Sequence, residues 1–126
     1  VGKILEHKHL IITGRINNPP RDTVYIDMWM KKLVNSIGMK ILMGPYSVYS
    51  KIAGNRGLTS VTIIETSHIA LHVWDEEEPG KLQLDVYSCS TLDVDVVLKA
   101  IDEFEPQNMN YYLIDRDQEL KLIASQ

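Results

Sequence analysis

The chain reads as an α+β domain, a two-layer sandwich in which two amphipathic helices cover one face of a largely antiparallel sheet, in the order β-α-β-β-β-α-β. Three observations predict this. Two segments carry apolar residues at three- and four-residue spacing, the strand candidates between them are joined by short turns, and one of those strands, HIALHVW, alternates strictly. At 126 residues and 44% hydrophobic content, the chain can bury one core and is too short for two comfortable ones, so residues 1–126 are read as a single domain.

The elements follow in order. His9 to Ile16 is apolar and β-branched enough for a first strand, stopped by Asn17, Asn18, Pro19 and Pro20. Asp22 is the expected cap of a helix whose face is Ile26, Trp29, Met30, Leu33, Val34 and Ile37, with Gly38 as its stop. Met39 to Tyr49 reads as a strand bent or interrupted at Gly44 and Pro45, followed by a loop through Gly54 and Gly57. Leu58 to Ile64, His68 to Trp74 and Leu82 to Cys89 are further strands, the last two joined by the acidic turn DEEEPGK. Thr91 to Phe104 places Val94, Val97, Leu98, Ile101 and Phe104 on one helical face, and Tyr111 to Ile114 suggests a final strand.

Alternation in HIALHVW puts Ile69, Leu71 and Val73 against the helices and His68, Ala70, His72 and Trp74 on the opposite side. A sheet face mixing histidine and tryptophan suits a second subunit or a site better than bulk water. The net charge of -4 with scattered Lys and Arg offers no field for a phosphate backbone, so nucleic acid is not an expected partner. No apolar run approaches the roughly 18 residues that span a bilayer, and the start VGKILEHKHL lacks a signal peptide's pattern. With Cys89 the single cysteine, no intrachain disulfide can form, which fits a reducing, cytoplasmic compartment. His68 and His72 share a face, but two ligands are too few for a metal, and none is expected. Taken alone, Cys89 reads as a small buried hydrophobe, Trp74 as core or interface, and Asp75 to Glu78 as a solvated turn.

The string ETSHIALHVWDE, Glu65 to Glu76, followed by DVYSC, Asp85 to Cys89, resembles the active-site segment of the prokaryotic S-adenosylmethionine decarboxylases, with Ser67, His68, His72, Trp74, Glu76, Asp85, Val86, Tyr87 and Cys89 on matching positions. KHLII and GLTSV resemble the family more faintly. The resemblance implies a self-processing pyruvoyl-dependent decarboxylase. The Ser67 hydroxyl would attack the Thr66 carbonyl, and elimination would divide the chain into 1–66 and 67–126 with a pyruvoyl group made from Ser67. That carbonyl would form a Schiff base with the amine of S-adenosylmethionine and take up the electrons released with carbon dioxide, feeding spermidine synthesis.

By the same resemblance, His72 would remove the serine α-proton in processing, and Thr59 stands where the family has an assisting serine. Cys89 would protonate the substrate carbon. Glu76 would bind ribose hydroxyls, and Trp74 belongs to the same substrate-binding motif. The family assembles as a homodimer with sites at the interface.

Departures from the family pattern are Thr66 where glutamate precedes the serine, Asp75 where proline follows the tryptophan, and a hairpin two residues longer. The family's substrate-stacking aromatic has no clear counterpart, Tyr46 and Tyr49 being candidates for a sulfonium contact. Arginine or ornithine as substrate, and a non-processing homologue that binds or regulates, remain alternatives. In an unbroken strand the odd-numbered Ser67 faces away from the even-numbered His72, so a turn or bulge near Thr66 is expected if they are to meet.

Overall fold

The computed structural model describes residues 6–126. The first five residues of the stretch read for a signal peptide lie outside the described residues. Seven strands form one sheet in the order β2-β3-β4-β5-β1-β6-β7, with every neighbouring pair antiparallel. They are β1 (Lys8–Ile16), β2 (Ile41–Ser50), β3 (Gly57–Ile64), β4 (Ser67–Trp74), β5 (Gly80–Ser88), β6 (Pro106–Asp115) and β7 (Lys121–Ser125). Helices α1 (Thr23–Ser36) and α2 (Val94–Ile101) cover one sheet face, and a short 3-10 turn, Asp102–Phe104, extends α2.

Local chemistry accounts for the helix ends. Asp22 caps α1 by accepting hydrogen bonds from the Val24 and Tyr25 amides, and Gly38 leaves the helix at φ +74°, a conformation that glycine adopts without steric cost. The α1 face Ile26, Trp29, Met30, Leu33 and Val34 is buried. Helix α2 begins at Val94 rather than Thr91 because the Asp93 side chain accepts from the Asp95 amide and sets the start there. The indole of Trp29 donates to the Ala100 carbonyl at 2.8 Å and packs on Phe104, joining α1 to the end of α2.

Two strands exceed the expected order. The bent stretch from Met39 is a full strand, because register shifts between Ile41 and Tyr46 absorb Gly44 and Pro45 and let pairing with β3 continue to Ser50. Four strands therefore lie between the helices. The second is β7, whose Leu122 and Ile123 are exposed, so its residues carry no burial pattern and only pairing with β6 defines it. The β6 strand is also longer than Tyr111 to Ile114, since all of Pro106 to Asp115 follows β1.

The core is a single cluster. Leu10, Ile12, Ile69, Leu71, Leu84 and Val86 on the covered sheet face meet the apolar faces of α1 and α2. The opposite face has no layer on it among the described residues. There β1 presents His9, Ile11 and Thr13, β3 presents Thr59, Val61 and Ile63, β4 presents His68, His72 and Trp74, and β5 presents Asp85 and Tyr87. Ile11 and Ile63 are each 42% exposed on it, which is unusual for isoleucine in the middle of a sheet.

Candidate active site

The β3–β4 hairpin turns through only Glu65 and Thr66, with Ile64 opposite Ser67. So tight a reversal needs a left-handed residue, and Thr66 supplies it at φ +50°. A β-branched side chain in that region is strained by about 1–3 kcal/mol. The strained residue is the one whose carbonyl forms the peptide to Ser67. Ser67 is 8% exposed, and its Oγ has no hydrogen-bond partner; among the described residues, Thr62 is the other buried side chain in that position. A buried hydroxyl without a partner forgoes about 1–3 kcal/mol of solvation, so its position calls for an explanation other than stability. Cys89, just past β5 and buried, donates from Sγ to the Glu65 carbonyl at 3.3 Å. Thr66 and Ser67 thus share one turn, with the thiol against it from the end of β5.

His72 and Thr59 sit elsewhere. They are register partners on β4 and β3, with Thr59 Oγ1 3.2 Å from His72 Nδ1, on the uncovered face. Ser67 lies on the covered side of β4 with Ile69 and Leu71. Five residue steps along the strand separate it from His72, roughly 16 Å at about 3.3 Å per residue. The turn at Thr66 precedes Ser67 without changing the parity of the strand, so one chain does not bring Ser67 and His72 together. The Thr66–Ser67 peptide is nevertheless reachable from the uncovered side, because Thr66 and Ser67 line an open groove of about 500 Å³ with Ile63, His68, Tyr87 and Arg116.

Trp74 and Glu76 stand beyond His72, at the far end of β4. The His72 and Trp74 rings are 6.1 Å apart, the Trp74 indole donates to Asn55 Oδ1 at 2.8 Å, and Lys81 Nζ lies 5.6 Å over its ring. Glu76 Oε1 accepts the Arg56 amide at 2.8 Å. Backbones are close here: a Cβ on Gly57 would come within 1.8 Å of the Val73 carbonyl. Asp75 is not part of a solvated turn. Its side chain is 0% exposed and accepts from Arg21 Nε at 2.7 Å, Arg56 Nε at 2.6 Å and the Tyr49 hydroxyl at 2.7 Å. Burial pushes the Asp75 carboxyl up, but the bonds from Tyr49, Arg56 and Arg21 outweigh it and hold the group below the usual carboxylate value. Tyr49 is raised in turn, by its bond to Asp75 first and by burial second. This engages Tyr49, while Tyr46 on the same strand is exposed.

A third group was not foreseen. Strand β1 lies beside β5, which brings His9 next to Tyr87, Asp85 and His68. His9 Nε2 hydrogen-bonds to Asp85 Oδ1, His68 Nε2 is 3.8 Å from the same oxygen, and ligand atoms of the three residues lie within 4.8 Å of one another. His68 therefore has potential co-ligands in His9 and Asp85, rather than in His72. Arg116 Nη1, however, is 3.1 Å from His9 Nδ1. A guanidinium only donates, so Nδ1 accepts and Nε2 keeps its proton, directed at Asp85 where a metal ion would need a lone pair. Burial raises the Asp85 carboxyl, and the hydrogen bond from His9, with the neighbouring Arg116 guanidinium, lowers it further than burial raises it. Arg116 also stacks over Tyr87, 4.4 Å from its centroid.

Residues 12–117 match the family model for S-adenosylmethionine decarboxylase. The chain belongs to that family. Among curated relatives of this S-adenosylmethionine decarboxylase family member is the S-adenosylmethionine decarboxylase proenzyme of Archaeoglobus fulgidus, 32% identical over 72 residues. That match covers 56% of this chain and 62% of the relative, less than two thirds of its length. The fold is similar to the crystal structure of the adenosylmethionine decarboxylase from Aquifex aeolicus, with a TM-score of 0.68 and 18% identity over 93% of this chain and 98% of that one. The two-layer sandwich is thus the architecture of a solved decarboxylase. Among the described residues, no helix of this family member is long and apolar enough to cross a membrane.

Proposed function

We propose that the chain is a proenzyme that cleaves itself between Thr66 and Ser67 and then decarboxylates S-adenosylmethionine. The observation that carries the reading is the convergence, at one tight turn, of backbone strain at Thr66, a buried unpartnered Ser67 hydroxyl and the Cys89 thiol on the Glu65 carbonyl one peptide upstream of the bond to be cut. Attack of Ser67 Oγ on the Thr66 carbonyl exchanges the amide for an ester and moves a proton to the former amide nitrogen. Strain held in the turn at Thr66 raises the energy of the uncut chain, and breaking the following bond frees that turn, so strain favours cleavage. Removal of the Ser67 α-proton expels the Thr66 carboxylate, and hydrolysis of the dehydrated serine by one water releases ammonia. The products are residues 1–66 and 67–126, the latter beginning with a pyruvoyl group.

The residues around Ser67 suit such a group: it is made from their own atoms in a buried turn. When formed, it supplies a carbonyl electron sink for decarboxylation. The Cys89 thiol, a donor to the Glu65 carbonyl, holds the proton to be returned to the substrate carbon. Glu76 accepts ribose hydroxyls beside Trp74. Substrate choice is informed by Asp75. Its carboxylate is consumed by two guanidinium groups and a phenol, so the departure from proline adds no free acid for the side chain of arginine or ornithine.

The active form in this reading is a homodimer of cytoplasmic protein. The Ser67–Cys89 group and the Thr59–His72–Glu76 group sit at opposite ends of β4, and the uncovered sheet face between them carries Ile11, Val61 and Ile63. A two-fold axis on that face lets one protomer's His72 serve the partner's Thr66–Ser67 peptide as base. Carbon dioxide release from S-adenosylmethionine, arginine and ornithine tests the substrate. Turnover of the first alone is expected; turnover confined to either basic amino acid overturns the choice.

A further inference from the structure

We propose that Asp75 is a positioning residue, fixing the Glu76 carboxylate for a ligand's vicinal hydroxyls through Arg56. The inference rests on the reading of Glu76 as the ribose acceptor and adds the device that holds it. Arg56 grips Asp75 twice, from Nε to Oδ1 at 2.6 Å and from Nη2 to the Asp75 carbonyl at 2.7 Å, and Asp75 returns a bond from its amide to the Arg56 carbonyl at 3.2 Å. Side chain and backbone of the two residues are therefore locked reciprocally. Arg21 and Tyr49 fill Oδ2, so the carboxylate has no alternative partner to turn toward.

The Arg56 amide is the group that holds Glu76 Oε1. Glu76 is exposed, and an exposed glutamate samples many rotamers, each ligand hydroxyl having to wait for the right one. A locked Arg56 amide removes that freedom from one carboxylate oxygen and leaves the other for a ligand. Glu76 and Arg56 line a cavity of about 360 Å³ with Trp74 and Lys81, large enough for part of a nucleoside. Buried charge paired by three short bonds is a rigid anchor, whereas the proline of the family pattern holds its backbone by its ring.

The test separates positioning from mere stability. In an uncleavable Ser67→Ala background, binding of 5′-methylthioadenosine and of its 2′-deoxy counterpart is measured by calorimetry. Asp75→Asn is expected to weaken the ribonucleoside about tenfold and the deoxy ligand less than about twofold, with no further loss when Glu76→Gln is already present. Arg21→Gln, which removes a half-exposed cation, serves if Asp75→Asn does not fold and is expected to give the same selectivity at about threefold. Equal losses for both ligands, or losses that add to those of Glu76→Gln, overturn the proposal. A parent protein that binds neither nucleoside overturns the reading of Glu76 and the proposal with it, whereas selective binding untouched by Asp75→Asn and Arg21→Gln overturns the proposal alone.

Discussion

The two ends of β4 are built on opposite principles. At the Ser67 end the chain is strained and incompletely bonded: Thr66 is left-handed, the Ser67 hydroxyl has no partner, and the Thr66 hydroxyl and Cys89 thiol share the Glu65 carbonyl. At the Asp75 end every Asp75 oxygen is bonded at 2.6–2.7 Å, and one strand and two loops are tied to one carboxylate. Unsatisfied groups are poised to react, and saturated ones to hold. A proenzyme site of the kind proposed would need both, and here the eight residues of β4 keep them apart.

The largest effect that breaks this contrast is removal of the hydroxyl. Ser67→Ala is expected to abolish cleavage completely, leaving one band after prolonged incubation, while the fold persists because an unpartnered group is lost. At the other end, Asp75→Ala should lower stability by about 2–4 kcal/mol in urea titration, since it leaves Arg56 and Arg21 beside a buried void. A comparable loss from both substitutions would erase the distinction between the ends. Thr66→Gly relaxes the left-handed turn. It should stabilise the unprocessed chain by about 1 kcal/mol and slow cleavage, an unusual pairing of opposite signs that gel assays and melting can check together.

Acid provides the smallest and broadest effect. Asp75 and Asp85 are both held below the ordinary aspartate range in the folded chain, so their contribution is fully present above that range and is lost as pH falls through the lower folded values. Stability measured downward from about pH 4 should therefore decline, and Asp75→Asn should flatten that limb. An unchanged acid limb would place the loss in other carboxylates.

Much of the fold was legible because it is local. Asp22, the spacing from Ile26 to Ile37 and Gly38 define α1 without reference to the rest of the chain, and alternation in β4 correctly divides His68 and His72 from Ile69 and Leu71. The same parity anticipated that Ser67 and His72 lie on different sides. What escaped is non-local. His9 meets Asp85 only because β1 enters between β5 and β6, a pairing across more than seventy residues that no periodicity records. Asp75 looked like one acid in a solvated run because its burial depends on Arg21, Arg56 and Tyr49 from three other segments. Strand β7 escaped for a further reason, being defined by hydrogen bonds at an edge rather than by a buried face.

Intact mass of the purified chain, before and after treatment with cyanoborohydride, tests the central claim most directly. The account predicts two fragments divided between Thr66 and Ser67, the carboxyl-terminal one bearing a pyruvoyl end that cyanoborohydride and an amine convert to a heavier adduct. A chain that remains whole through long incubation, or divides at another bond, would contradict it.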